Sequence, residues 1–265
     1  MRLIKLGGNE LDRPGFLDEL ARALAAMQEE VVVVHGGGQT VDRLQEKLGV
    51  RPTKIDGVRV TDTASLEAVV MALCGAVNKR IVATLVNHGI DAVGLSGVDG
   101  GLLRVRKLEK EGLDLGWVGE ITDVRTEVLN VLLSQGITPV VAPVSLGPEG
   151  QMFNVNADQA ASAIASALRP RSLDFVTNVA GVKLEEKLIR TLGSAEAERL
   201  VAQGKINGGM VPKVQAALDA LVAGVPAVRI VDLPGLADAG AGTTLTTDSL
   251  PARLQGGLPE AGHEG

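Results

Sequence analysis

Aromatic residues are scarce. Phe, Trp and Tyr make up 2% of the 265 residues, and tyrosine is missing altogether. Single-stranded nucleic acid is gripped by aromatic platforms on which bases stack, and this chain has almost none to offer. It also lacks surplus positive charge: 26 Lys and Arg against 32 Asp and Glu leave a formal net charge of −6. That balance disfavours general binding to a polyanion but leaves room for a local basic pocket around a small phosphate. Cysteine occurs once, at Cys74, so neither an internal disulfide nor a cysteine-based zinc site is available. Cys74 lies in an apolar helical pattern and reads as a packed thiol rather than a nucleophile. No run approaches the ~18 apolar residues of a membrane span. The first residues already read as a strand, which leaves no signal peptide. The expectation is a cytoplasmic protein that binds neither nucleic acid nor membrane.

Apolar residues make up 45% of the chain, enough for a substantial core. Short apolar runs alternate with helical patterns: strand Arg2–Leu6, helix from Pro14 to about Met27, strand Val31–Val34, helix from about Gln39 to Leu48. That order is the signature of a mostly parallel sheet covered by helices. "TKIDGVRVTD" carries a hairpin signal at Asp56-Gly57, and a long helix runs from Thr63 to about Asn87. "LLRVRK" and "GWVGEITDV" form a second β excursion, after which the alternation resumes with strands at Thr138–Ala142, "LDFVTNV", "AVRIVD" and "TTLTT". No fixed-period repeat and no Pro-rich central linker appear, so one domain with two lobes dividing near Arg169 is expected.

Four stretches carry candidate chemistry. "LIKLGGNE" and "VVVVHGGGQT" are strands that end in glycines, with Lys5 before the first pair. Glycine turns of this kind expose backbone N–H groups that suit anions, at the strand ends where open sheets bind ligands. A tight turn alone would explain one such pair; two of them with a lysine favour phosphate or carboxylate binding. The P-loop, the G-x-G-x-x-G fingerprint and the protein-kinase motif set are all missing. In "NVNADQ", Asn154 and Asn156 alternate along an extended segment, and Asn156 or Asp158 can cap the following helix; capping accounts for only one of the three. In "NGGMVPKV", Lys213 follows a diglycine and Pro212 at a helix start, better placed for a phosphate than an ordinary surface lysine. His35 reads as a satisfied buried imidazole rather than a metal ligand.

"KLGG", "VHGGG", "GVRVTD", "VGLSGVDGG", "NVNADQAA", "TNVAGV" and "GGMVPKV", in this order between residue 2 and about 247, resemble the amino acid kinase family. Within it they are most similar to the members that phosphorylate N-acetyl-L-glutamate. The resemblance implies a three-layer α/β/α sandwich with a mostly parallel central sheet. Residues 1–248 would form one kinase-like domain, with an N-lobe (about 1–168) for the amino-acid substrate and dimerisation. The C-lobe (about 169–248) would take ATP with Mg²⁺, and 249–265 would be a flexible tail. The implied reaction is ATP-dependent phosphorylation of the side-chain carboxylate, a step of arginine biosynthesis.

Carried over position by position, Lys5 and Lys213 would stabilise the transferring phosphoryl group and Asp158 would orient them. Gly7 and Gly8 would bind ATP phosphates, and Gly37 and Gly38 the attacking carboxylate. Arg59 would grip the α-carboxylate and Asn154 the acetamido group. Thr177, Asn178, Val179, Ala180, Gly181 and Val182, with Lys205, Ile206 and Asn207, would line the nucleotide. No residue is assigned as a metal ligand, because Mg²⁺ would be held mainly by ATP oxygens and water. Such a reaction needs no general base, since a carboxylate acceptor (ordinary pKa ~4) is already ionised. The difficulty is bringing one anion to another, which fixed cations and N–H donors address. Two other readings share the pattern: a kinase for carrier-protein-linked aminoadipate in lysine biosynthesis, and a non-catalytic sensor of amino acids or nucleotides. The apolar residues on more than one face of the helix 63–87 point to a homodimer. Arginine-inhibited relatives carry an extra N-terminal helix that assembles hexameric rings, and since no helix is read ahead of the first strand, the resemblance implies weak or absent inhibition by L-arginine.

Overall fold

The computed structural model describes residues 1–55 and 57–247; Asp56 of the hairpin signal and the expected tail lie outside the described residues. In chain order the elements are β1 (Arg2–Leu6), α1 (Phe16–Met27), β2 (Val31–His35), α2 (Gly38–Lys47), the hairpin β3 (Lys54–Ile55) and β4 (Val58–Arg59), and α3 (Thr63–Asn87). Then come β5 (Ala92–Gly97), β6 (Leu103–Lys107), β7 (Gly119–Val124), α4 (Glu127–Ser134), β8 (Thr138–Leu146), β9 (Met152–Asn154) and α5 (Ala157–Leu168). The last part holds β10 (Leu173–Thr177), the small hairpin β11 (Lys183–Leu184) and β12 (Lys187–Leu188), β13 (Thr191–Gly193), α6 (Ser194–Ala202), α7 (Met210–Val222), β14 (Val228–Asp232) and β15 (Thr243–Thr246).

Eleven strands share one sheet, ordered β13-β15-β14-β10-β1-β2-β8-β6-β7, with β5 and β9 also paired to β8. The centre, β14-β10-β1-β2-β8, is parallel throughout. Antiparallel pairing enters only toward the edges and at β9. Strand periodicity sorts the side chains. Leu3, Val32, Val34 and Phe175 join one core with Ile164 of α5 and Val214 and Leu218 of α7. Ile4, Leu6, Val33 and Val176 join the other with Phe16 and Leu20 of α1 and Ile81 and Leu85 of α3. This is the expected α/β/α sandwich.

Several boundaries differ from the sequence reading. Helix α1 starts at Phe16, because Gly15 takes a left-handed φ of 77°. Strand β8 continues to Leu146, past the expected end at Ala142. Its pairing with β2 stops at Val141, and beyond Pro143, which has no N–H for a ladder, it pairs antiparallel with β9. Helix α3 is, by length and composition, apolar enough to cross a membrane, contrary to expectation. Glu67, Lys79 and Arg80 interrupt any continuous run while the averaged apolarity stays high, and Val77, Ile81 and Leu85 are packed in the core. A π-helical segment, Met71–Val77, widens its middle. Cys74 is half-buried, and burial pushes its thiol up to about 11, as a packed and unreactive cysteine.

Candidate active site

The two glycine turns leave the sheet side by side, because β1 and β2 are neighbours with Leu6 opposite His35. Gly36 N donates to Leu6 O at 3.0 Å. A Cβ added at Gly8 would lie 2.7 Å from Gly38 N and 2.9 Å from Gly37 N, so only glycine lets the turns approach this closely. The N–H groups of Gly37 and Gly38 belong to the start of α2, where no carbonyl within the helix can take them. From behind, Leu73 and Val77 of the π segment press on Gly37, where a Cβ would meet them at 2.9 and 3.0 Å. His35 is fully buried below the turn. Its Nδ1 pairs with Gly36 O at 2.8 Å and its Nε2 with Asn78 Nδ2 at 3.1 Å. Burial pushes the imidazole down to about 4, so it is neutral and braces the turn, donating from Nδ1 and accepting at Nε2.

Lys5 alternates with Ile4 and so points to the face covered by α5 and α7. There it meets the starts of both helices. Lys5 Nζ forms an ion pair with Asp158 Oδ1 at 2.6 Å, and Lys213 Nζ lies 3.5 Å from Asp158 Oδ2. Asp158 is held in the first turn of α5 because Asn156 caps that helix, its side chain accepting from Asp158 N at 2.7 Å. Burial pushes the Lys5 ammonium below its ordinary range; Lys213 adds to this and Asp158 opposes it. Burial would raise the Asp158 carboxyl, but the two lysines outweigh it and hold it below the usual carboxylate range.

Across the cavity, the β3–β4 hairpin presents Arg59. Its guanidinium donates to Gln45 Oε1, Asp42 Oδ1 and, at 3.3 Å, Gly38 O. Asp42 also pairs with Lys54 at 2.9 Å. Burial works against the ionised Asp42, yet Lys54 and Arg59 hold its pKa low. Asn154 Nδ2 donates to Thr61 Oγ1 at 3.1 Å.

These groups converge on one cavity of about 690 Å³, lined by Lys5, Gly7, Gly8, Gly37, Gly38, Arg59, Asn154, Asp158, Thr177, Asn178, Val179 and Lys213. Ala180, Gly181 and Val182 are not in its wall, nor are Lys205, Ile206 and Asn207. Val182 and Ile206 have their side chains in the core, and Val182 N is taken by Thr243 Oγ1 at 2.8 Å. Lys205 and Asn207 are exposed, one turn before the Gly209 and Met210 that do line the cavity. The sequence reading missed Glu10, Lys54 and the apolar wall of Val41, Leu73, Leu108, Val118 and Val155. It also missed Asp42 and Gln45, which hold Arg59. Their spacing of three residues puts them on one face of α2, the only available signal.

The model of the amino acid kinase family matches residues 1–232. The chain is 52% identical over 249 residues to the acetylglutamate kinase of Roseiflexus sp. (strain RS-1), covering 94% of each chain. Its fold is similar to that of smu.665 from Streptococcus mutans UA159, with a TM-score of 0.82 at 29% identity over 93% of this chain and 98% of that one. It is also similar to N-acetylglutamate synthase from Neisseria gonorrhoeae, solved with coenzyme A and N-acetyl-glutamate. There the TM-score is 0.81 at 25% identity, over 94% of this chain and 60% of that one. With its glycine turns, lysines and sandwich fold in the order the motifs required, and with a family match over most of its length, this chain belongs to the amino acid kinase family.

Proposed function

We propose that the chain transfers the γ-phosphoryl group of ATP to the side-chain carboxylate of N-acetyl-L-glutamate, giving N-acetyl-L-glutamyl 5-phosphate for arginine biosynthesis. The observation that carries this reading is the Lys5–Asp158–Lys213 set, standing at two abutting glycine turns in one cavity. Identity of about half to an enzyme named acetylglutamate kinase supports the choice of acceptor.

The donor side is formed by Gly7, Gly8, Thr177, Asn178, Val179 and the start of α7, and the acceptor side by Gly37, Gly38, Arg59 and Asn154. On this reading the acceptor contacts come from the N-lobe (about 1–168), while the donor side draws on both lobes, Gly7 and Gly8 from the first and Thr177, Asn178 and Val179 with α7 from the C-lobe (about 169–248). A carboxylate oxygen of the acceptor forms the new bond to the γ-phosphorus while the bond to the β–γ bridging oxygen breaks and ADP leaves. No proton need be removed, so Asp158 is not required as a base. Its work is to keep Lys5 charged against burial and to aim both ammonium groups at the oxygens where negative charge collects. Arg59 binds the α-carboxylate as a planar fork, already oriented by Asp42 and Gln45.

Hard oxygen donors are what Mg²⁺ takes, and the cavity presents carboxylates at Asp158 and Glu10 beside the phosphate-binding turns. Bound with the nucleotide, the ion screens phosphate charge. The enzyme works in the cytoplasm as a homodimer. Half-exposed Met71 and Val86 on α3, with exposed Val93 on β5, support a two-fold contact there. The test is ADP release with MgATP and a panel of acceptors: N-acetyl-L-glutamate, carrier-linked aminoadipate, glutamate, aspartate and carbamate. Turnover with the first and little with the rest is expected. A preference for the carrier-linked acceptor would overturn the assignment.

A further inference from the structure

Glu10 is a charged residue of the cavity to which the phosphoryl transfer as described gives no defined role. It opens a short 3₁₀ turn, Glu10–Asp12, directly after Gly7-Gly8-Asn9. The residue is 8% exposed and lines the cavity beside Lys5, Gly7 and Gly8. Its carboxylate lies across the Cα of Gly7, so close that a Cβ there would stand 1.8 Å from Oε2. Among the described residues that carboxylate has no hydrogen-bond or ion-pair partner. Lys5 feels its charge, but the Lys5 ammonium is committed to Asp158 at 2.6 Å.

The position is built rather than incidental. On one side Asn9 Oδ1 accepts from Gln39 Nε2 at 3.0 Å. On the other, Arg80 donates to Leu11 O at 3.0 Å and Arg43 to Asp12 Oδ1 at 2.8 Å. The turn carrying Glu10 is therefore braced against α2 and α3. A carboxylate lining the cavity with no partner of its own repels a triphosphate arriving at Gly7 and Gly8. Two lysines facing two carboxylates, Asp158 and Glu10, leave no net charge there to receive that triphosphate. A divalent cation between Glu10 and the phosphate oxygens removes both obstacles at once, and carboxylate oxygen is the donor Mg²⁺ takes.

We propose that Glu10 holds the Mg²⁺ of the nucleotide, directly or through a coordinated water, so that the Gly7–Glu10 turn binds metal and phosphate together. This rests on reading the cavity as the nucleotide site. Glu10 acts as a positioning residue, and its removal is read in binding rather than in turnover alone.

The experiment is calorimetric titration of the full chain with a non-hydrolysable ATP analogue, once with Mg²⁺ and once with excess chelator, for the native chain and for Glu10→Gln. The expected result is a loss of affinity for the magnesium form of about tenfold or more, the range seen when a metal-supporting residue is removed. Affinity for the metal-free analogue is then unchanged or tighter. The electron paramagnetic resonance spectrum of the Mn²⁺–analogue complex should also change on substitution. If Glu10→Gln instead tightens both forms equally, Glu10 is only an anion that vacates the phosphate site, and the proposal fails. Unchanged binding of both forms also overturns it. If the native chain binds the analogue in neither condition, the reading of the cavity itself fails and the proposal falls with it. Should Glu10→Gln not fold, Glu10→Asp keeps the charge but shortens its reach. It is expected to weaken the magnesium form alone, and equal weakening of both forms counts against the proposal.

Discussion

Asp174 and Asp158 are both buried carboxylates set between two cations, and the way each is completed differs. Asp174 sits near the N-terminal ends of the central strands, on the face that packs against α1 and α3. Arg2 grips its Oδ2 with Nε at 2.9 Å and Nη2 at 2.6 Å, and Arg229 Nε takes Oδ1 at 2.6 Å. Further guanidinium protons go to Leu236 O, Asp238 O and Met27 Sδ. Asp158 lies at the opposite strand ends and on the opposite face, held by two lysines, one of them only loosely at 3.5 Å. Arginine's fixed fork closes a cluster on itself, whereas an ammonium keeps donors to spare. One cluster is scaffold. The other leaves ammonium donors facing the cavity, free on the proposed reading to take a substrate oxygen.

The sharpest way to break this comparison is to remove each carboxylate's environment in turn. Asp174→Ala strands two buried guanidinium groups. It is expected to cost about 3–5 kcal/mol of stability in urea denaturation, while the folded fraction keeps its kcat. A large loss of kcat with normal stability would show that the buried cluster is not merely scaffold. Next in size, Lys213→Ala should lower kcat by about 10²–10³, the usual effect of deleting one charge-stabilising donor. Its denaturation midpoint should stay near the native value because Lys213 is at the cavity rim. Lys5→Ala should lose as much activity and also some stability, since buried Asp158 loses its nearer partner. Near-normal turnover in either lysine variant would reject the catalytic assignment.

A smaller effect separates acceptor from donor. Arg59→Ala should raise KM for the acetylated amino acid about tenfold or more, as for loss of a charge-assisted hydrogen bond, and leave KM for ATP nearly unchanged. If ATP binding fell instead, the two sides of the cavity are assigned in reverse.

The smallest effect is a pH dependence with opposing signs. Because burial lowers the Lys5 pKa below its ordinary 10.5, kcat should fall on an alkaline limb below that pH as the ammonium is lost. Between the folded pKa and 10.5 the unfolded chain binds more protons than the folded one. Lys5's contribution to stability therefore rises with pH while activity falls. Lys213→Ala removes a like charge and should move the limb upward. Paired kcat–pH and urea–pH series check both; a parallel fall of activity and stability would count against the buried ammonium.

How much of this was legible beforehand varies by residue. The parity of "RLIKLGG" puts Lys5 on one face and Arg2 on the other, and the glycine pairs mark both turns. Glu10 gave no such signal, because a charged residue in a loop is ordinarily solvated. Asn78 was equally hidden: mid-helix, it reads as surface, yet it is buried and donates to His35 and, at 2.9 Å, to Val140 O. "KLEEKL" is a tight hairpin, with Glu185 and Glu186 at φ of 49° and 64° where glycine would ordinarily sit, a turn that only the structure reveals.

By itself the sequence determined the alternation of strands and helices, the face each strand residue takes, and the order of motifs that marks the family. These follow from local rules: a period of two or 3.6, a cap, a glycine where a turn needs one. Only the tertiary structure decided that Gly8 lies against Gly37 and Gly38, that Asp158 stands between Lys5 and Lys213, and that Arg2 meets Asp174 across 172 residues of chain. Those meetings depend on which strands become neighbours and in what register, and that is settled by burial of the whole sheet between its two helical layers.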